Sequence, residues 1–309
     1  PTAENLLISA DTGSGKSTIA SAACLYTVDC GYQACLLGPT EILAKQLYDT
    51  FVKMIAPLKD KPVVAYLSGA TKAKEKREIL NAVKNGTVDV LIGTHSILNV
   101  EYNNLGLVVI DEQQKFGANQ REALLDSRKD GRKVDMLSQT ATPIPRTTAL
   151  ALYGDVELIT ITQKPAGRKE NITQWIKKSS DTFLKELVSA EWTHIYNEIE
   201  KGHQVFIVTP AVQEKAKSAS VERTAKILTR KFPSLKIEYV HGGLDKNQQN
   251  KKIEEFRDRK SDVLIASSII EVGIDIPNAT VMLVLDANRF GASSLHQIRG
   301  RVGRGKDQG

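Results

Sequence analysis

Two glycines, a lysine and two serines stand together at Gly13-Ser14-Gly15-Lys16-Ser17, and an acidic pair, Asp111-Glu112, follows about a hundred residues later. Each group follows a short apolar run, Leu6-Leu7-Ile8 a few residues before the first and Leu107-Val108-Val109-Ile110 immediately before the second. Such runs suit central strands of a parallel sheet covered on both faces. The glycines supply the permissive backbone of a tight turn. A helix entered from that turn offers free N–H groups and partial positive charge to an anion. Asn5 to Thr18 is therefore read as a strand, a turn and a helix start that cradle a polyphosphate. Lys16 adds a full charge, and Ser17 a hydroxyl suited to the octahedral oxygen shell of Mg²⁺. Asp111 is placed to orient that ion through its water shell, and Glu112 to polarise a water that attacks the γ-phosphate. Acidic strand ends are common; joined to a Gly-Lys-Ser turn, this one completes a nucleotide site.

Further polar groups cluster around these two. Gln113 and Gln114 carry amides that could sense the γ-phosphate and bond to a neighbouring strand end. Such a strand is Met136 to Thr142, which leaves Thr140 and Thr142 beside the acidic loop, with Pro143-Ile144-Pro145-Arg146 as a rigid basic corner. The two hydroxyls are either turn residues bonding their own backbone or a relay between nucleotide and a bound strand. Near the other end, Gln297, Arg301 and Arg304 are spaced by four and three, which predicts one side of a helix. They form either a solvated face or, opposite a phosphate cradle, an arginine-finger element. A planar, permanently charged guanidinium suits the charge spread over transferring phosphoryl oxygens.

These groups need elements to hold them. A small-residue helix over Ile19–Thr27 ends at Gly31 and leads to a strand over Ala34–Leu37. Thr40 then caps a helix whose Ile42, Leu43 and Leu47 are spaced for one buried face, leaving Lys45 and Gln46 to the polar side. Pro39, Thr40 and Gln46 fit two readings equally, an ordinary αβ connection or contacts to a nucleic-acid backbone. A strand over Val63–Leu67, a lysine-rich helix over Gly69–Asn85 and a strand over Val88–Ile92 lead into Gly93-Thr94-His95, whose lone histidine has no metal-ligand spacing around it. After a linker, a second αβ series begins with a helix over Asp181–Lys201, in which Phe183 and Trp192 read as core. Strands over 204–208, 236–240, 262–266 and 281–285 alternate with helices over 219–232 and 246–257. Their ends carry Thr209-Pro210, His241-Gly242-Gly243 and a polar loop from Ser267-Ser268 to Asp275. In open α/β sheets ligands bind beyond the carboxyl ends of the strands, where all these loops fall.

The whole chain agrees. Its 309 residues suit two domains, and 41% hydrophobic with 25% charged residues is ordinary for a globular protein. No apolar run reaches the roughly 18 residues of a membrane span and no signal peptide opens the chain, so the expectation is a cytoplasmic protein with no membrane partner. Cys24, Cys30 and Cys35 form no C-x-x-C pair and read as small apolar side chains or free thiols. Residues 1–150 carry 17 Lys and Arg against 16 Asp and Glu, and residues 151–309 carry 25 against 20. Most of the +6 net charge thus lies in the second half, which permits a polyanionic partner without identifying one.

With these residues assembled, the chain resembles a superfamily 2 helicase motor over nearly its whole length. ADTGSGKS is similar to motif I, PTEILAKQ to Ia, GTH to Ib, DEQQ to II, TAT to III, SSIIEVGID to V and QIRGRVGR to VI. DEQQKFG, TATPIPRT and PAGR most resemble the RecG family of ATP-dependent DNA helicases. The transcription-repair coupling factor Mfd is the near relative; its motif II normally has a second glutamate where this chain has Gln113. The resemblance implies an α/β fold of two tandem RecA-like domains, each a mostly parallel sheet flanked by helices. The bounds expected are 1–152 and 173–309, with a linker over 153–172. It implies ATP and Mg²⁺ as cofactors, bound by Thr12, Gly13, Ser14, Gly15, Lys16, Ser17, Thr18, Gly273 and Asp275, with Ser17 and Asp111 at the metal. Catalysis falls to Lys16, Asp111, Glu112, Gln297, Arg301 and Arg304, and coupling to Gln113, Gln114, Thr140 and Thr142. DNA, whether single-stranded, duplex or branched, would meet Pro39, Thr40, Gln46, Gly93, Thr94, His95, Arg146, Thr209, His241, Gly242, Ser267 and Ser268.

The sequence departs from the family at Ala10, in place of the usual first glycine, and at Gln114, where histidine is usual. The family's wedge domain precedes the motor and its translocation element follows motif VI, so the expectation is the two-domain motor alone, acting as a monomer. An RNA helicase, an Mfd-like duplex translocase and a non-hydrolysing nucleic-acid-binding module are the alternatives.

Overall fold

Apolar, β-branched runs too short to bury themselves must pair, and parallel pairing requires a crossover for each strand. The computed structural model shows this twice. It describes residues 4–11, 13–112, 133–141, 156–163, 171–186, 190–210, 220–267, 276, 278–303 and 309. The chain divides into two units, Pro1–Lys164 and Pro165–Gly309.

Unit one contains β1 (Asn5–Ala10), α1 (Lys16–Asp29), β2 (Gln33–Leu37), α2 (Glu41–Ile55), β3 (Val64–Leu67), α3 (Ala73–Lys84), β4 (Val90–Gly93), β5 (Leu105–Asp111), β6 (Asp135–Thr140) and β7 (Glu157–Ile161). Its seven strands lie in the order β3-β4-β2-β5-β6-β1-β7, and every pair is parallel. Alternate residues feed two cores. Cys35, Leu37, Val108 and Ile110 pack on one face. Ala34, Leu36, Leu107, Val109 and Leu137 pack on the other, against Ala20 and Cys24 of α1 and Phe51 of α2. Unit two contains α4 (Ser180–Lys185), α5 (Ala190–Glu200), β8 (Gln204–Val208), α6 (Val221–Lys231), β9 (Ile237–Val240), α7 (Lys246–Arg257), β10 (Val263–Ala266), β11 (Ala279–Val284) and α8 (Ala292–Arg299). Its parallel sheet runs β11-β8-β10-β9. Two parallel α/β sheets are what the tandem RecA-like reading expects. Among the described residues no helix is long and apolar enough to cross a membrane.

The same buried staple builds both units. A glycine at φ 82° (Gly31) or 84° (Gly202) turns the chain out of a helix, and a glutamine opens the next strand. The Gln33 amide donates to the carbonyls of Val83 (3.0 Å) and Val88 (2.6 Å), closing the end of α3 onto β4. The Gln204 amide donates likewise to Phe256 (2.6 Å) and Ser261 (2.8 Å), closing α7 onto β10. Asn104 and Asn278 donate back to the carbonyls of Gly31 and Gly202 at 3.2 and 3.0 Å. A buried amide left unbonded costs about 1–3 kcal/mol, so the paired carbonyls specify which helix end meets which strand.

Four expectations need correcting. The stretch assigned to the linker, 153–172, contains β7, which pairs with β1 and completes the first sheet. The single helix over 181–201 is two, α4 and α5; Phe183 and Trp192 are nonetheless core, their ring centroids 5.2 Å apart. In α2 the buried face is Ala44, Leu47, Phe51 and Ile55, with Ile42 and Leu43 only half-buried. Finally, α8 ends at Arg299, so Gln297 lies in the helix and Arg301 in the turn after it.

Glu198, on α5, ties that helix to β11. The residue is 8% exposed, and its carboxylate accepts from Lys201 Nζ (2.6 Å), His203 Nδ1 (2.8 Å) and Thr280 Oγ1 (2.9 Å). Burial alone would raise its pKa; the hydrogen bonds from Lys201, His203 and Thr280 outweigh burial and hold it down at about 2. A depressed carboxyl stabilises the fold above its unfolded value near 4.5, and that contribution is lost as pH falls towards 2. Glu198→Ala is expected to cost roughly 3 kcal/mol at neutral pH, with the gap to the parent narrowing below about pH 4.5. Urea unfolding of unit two followed at several pH values checks this; a gap independent of pH would refute it.

Candidate nucleotide and nucleic-acid sites

The turn after β1 is closed by Ser14 N–H donating to the Asp11 carbonyl at 3.3 Å. Gly13 and Gly15 take φ of 73° and 92°, a region a side chain makes costly. Gly15 is the N-cap of α1, and its carbonyl accepts from the N–H of Thr18 and Ile19 at 2.9 and 3.1 Å. No side chain caps this helix, so its first amides face the turn. Lys16 is 9% exposed, and its ammonium donates to the carbonyls of Ala10 (2.6 Å) and Asp11 (2.8 Å). Thr12, expected in the same turn, lies outside the described residues.

Sheet order brings the acidic pair to the same edge. Only β6 separates β1 from β5, so the cradle strand and the Asp111 strand lie about 10 Å apart. Register places Asp111 level with Gln139 on β6, and Thr140 level with Ser9 on β1. Glu112 is 8% exposed and has a left-handed backbone, φ 54°. That conformation costs a non-glycine residue on the order of 1–3 kcal/mol, and such strain clusters at functional sites. The donor set of hydroxyl (Ser17) and carboxylate (Asp111) fits a small hard cation that keeps waters and binds phosphate oxygens. Thr140 is fully buried. Gln113, Gln114, Thr142 and Arg146 lie outside the described residues.

The other first-unit candidates share this edge. Pro39 and Thr40 follow β2, and the Thr40 hydroxyl caps α2 by accepting from Leu43 N–H at 3.4 Å. Gln46 is half-buried on that helix. Gly93 closes β4, where an added Cβ would sit 2.1 Å from the Leu67 carbonyl oxygen, so close backbone approach requires glycine there. Thr94 is half-buried and His95 exposed, opening a 3₁₀ turn over His95–Ile97.

In unit two the edge carries Thr209, fully buried with its N–H on the Ala266 carbonyl at 2.8 Å, and Ser267, also buried. The His241 ring stacks on Tyr239 with centroids 5.9 Å apart, its Nδ1 accepting from Gly243 N–H at 3.1 Å. The Gly242 that follows is exposed. Gln297 and Arg301 are buried at 6% and 7% exposure. Sequence reasoning missed Asn171, whose amide donates to the carbonyls of Arg299 (2.8 Å) and Val302 (3.1 Å) and thereby holds the turn bearing Arg301. Its only sequence signal was an asparagine after a basic stretch. Ser268, Gly273, Asp275 and Arg304 lie outside the described residues.

With this geometry in place, the DEAD/DEAH box helicase model matches residues 1–150 and the helicase conserved C-terminal domain model matches residues 180–306. The ATP-dependent DNA helicase RecG of Streptococcus pneumoniae is 41% identical over 98% of this chain and 44% of its own length. A structure of RecG bound to a three-way DNA junction superposes with a TM-score of 0.77 at 37% identity, over 98% of this chain and 38% of that one. Saccharomyces cerevisiae Dbp5, bound to RNA and ADP BeF3, shares the fold with a TM-score of 0.69 at 19% identity, over 99% of this chain and 78% of Dbp5. The chain spans less than half the length of the curated relatives it matches.

Proposed function

This chain belongs to the superfamily 2 helicases and is RecG-like, and from that premise we propose that it is an ATP-driven DNA motor. The observation that carries the reading is the meeting, at one carboxyl edge, of a glycine cradle with buried Lys16 and a strand end bearing Asp111 and Glu112. The cradle amides and Lys16 bind the polyphosphate, and Glu112 holds the attacking water. Bound Mg²⁺, held through Ser17 and Asp111, would neutralise phosphate charge. Gln297, Arg301 and Arg304 act in turnover. Conformational cycling driven by hydrolysis moves DNA past the strand-end loops of each unit, namely Pro39, Thr40, Gln46, Gly93, Thr94, His95 and Arg146, then Thr209, His241, Gly242, Ser267 and Ser268. The RecG–junction relative favours branched DNA as the substrate class.

The deciding experiment measures ATP hydrolysis without nucleic acid and with single-stranded DNA, duplex, forked DNA or RNA. Stimulation by DNA, greatest with forks, is expected, with affinity that falls steeply with salt because contacts go to phosphates. Stimulation by RNA alone would favour the RNA-helicase alternative, and no hydrolysis on any ligand would favour the binding module. Lys16→Ala is expected to weaken binding of a fluorescent ATP analogue by about 10- to 100-fold, the worth of a hydrogen bond to a charged group. Parent-like affinity in that variant would remove Lys16 from the phosphate site.

A further inference from the structure

Gln139 is buried at 1% exposure on β6. Alternation along the strand puts it on the face of Leu137, which packs with Ile8, Ala20, Cys24 and Val109 beneath α1. One step nearer the carboxyl edge, Gln139 stands in register with Ile8 of β1 on one side and Asp111 of β5 on the other. Its neighbours towards the amino end of this face are apolar, and an apolar side chain would fill the position as well. The amide does something an apolar group cannot: Nε2 donates to the backbone carbonyl of Lys16 at 2.8 Å. Lys16 is therefore held twice, by its carbonyl on β6 and by its ammonium on the end of β1 through Ala10 and Asp11.

We propose that Gln139 is a positioning residue for hydrolysis, its amide pinning the first turn of α1 to β6 so that the cradle lysine keeps its place relative to Asp111. The inference rests on the ATPase reading above. A buried amide–carbonyl bond fixes distance and orientation at the start of the helix whose amides face the phosphate. A displacement of about 1 Å at a reacting centre is enough to cost about 10²-fold in rate.

The test compares the parent chain with Gln139→Met, which keeps length and apolar packing but has no donor. Gln139→Asn, which keeps the amide but shortens its reach by one methylene, is the second variant. With DNA saturating, both should lose about 10- to 100-fold in kcat while the affinity for an ATP analogue changes by no more than about threefold. Hydrogen exchange over residues 16–20 should accelerate about fivefold, the equivalent of one neutral hydrogen bond. This last readout needs no turnover, so a parent chain that hydrolyses nothing would refute the ATPase reading and leave Gln139 still tested by exchange. Unchanged kcat, or kcat and affinity falling together with the melting temperature, would overturn the proposal and make Gln139 a packing residue. Unchanged exchange would overturn it as well.

Discussion

Glu112→Gln is expected to bind ATP with parent-like affinity and to hydrolyse it about 10²- to 10⁴-fold more slowly, the range for loss of a positioned general base. Glutamine preserves the length and hydrogen-bonding shape of the side chain, so the left-handed backbone at φ 54° and the burial of this position are kept. What would be lost is the negative charge that, in the proposed role of Glu112, holds and polarises the attacking water. Because that interaction strengthens as the water attacks, its loss falls on kcat rather than on ground-state binding. Rapid-quench single-turnover hydrolysis with DNA saturating, beside analogue titration, separates the two. Parent-like turnover would show that the Asp-Glu strand end does not supply the base.

The largest expected loss belongs to the arginines of unit two. An arginine finger contributes about 10³- to 10⁵-fold to turnover in characterised phosphoryl-transfer systems. Arg301 is buried, so truncation to alanine would confound chemistry with folding. Arg301→Lys keeps the charge, loses the planar fork, and isolates the guanidinium's role. Arg304→Ala complements it. If the arginines act as proposed, both variants should lose most hydrolysis while ATP affinity moves by less than about tenfold, because a finger guanidinium acts on charge that develops in the transition state. Equal losses in affinity and turnover would make these residues ground-state ligands; unchanged turnover would take them out of the reaction.

Gly13 and Gly15 could be read in advance because a left-handed turn before a helix restricts residue choice within a few positions, and no distant contact alters that rule. Thr40 was legible as a cap for the same reason, since its hydroxyl bonds an amide three residues away. Apart from β7, the strands were legible from their apolar runs, because burial on both faces favours near-continuous apolar sequence. Gln113, Gln114 and Arg304 lie outside the described residues, so their roles rest on sequence.

Local rules failed where the partner lay far along the chain. The strand Glu157–Ile161 is mostly exposed and mixed in character, so its place beside β1 came from unpaired strand edge and not from its own pattern. The helix expected to carry Gln297, Arg301 and Arg304 stops at Arg299, where the Asn171 amide takes the carbonyls of Arg299 and Val302. Gln33, Gln139, Glu198 and Gln204 are polar residues that composition would leave on the surface, yet register and packing bury each one against backbone carbonyls or cationic and hydroxyl donors. Sequence by itself therefore determined the α/β class, the glycine turn before α1 and the acidic strand end, since these depend on neighbouring residues alone. Tertiary structure alone decided which amide meets which carbonyl across 123 positions, as Gln139 meets Lys16. A hydrogen bond depends on distance in space, and only the order of strands in the sheet brings those two residues within reach.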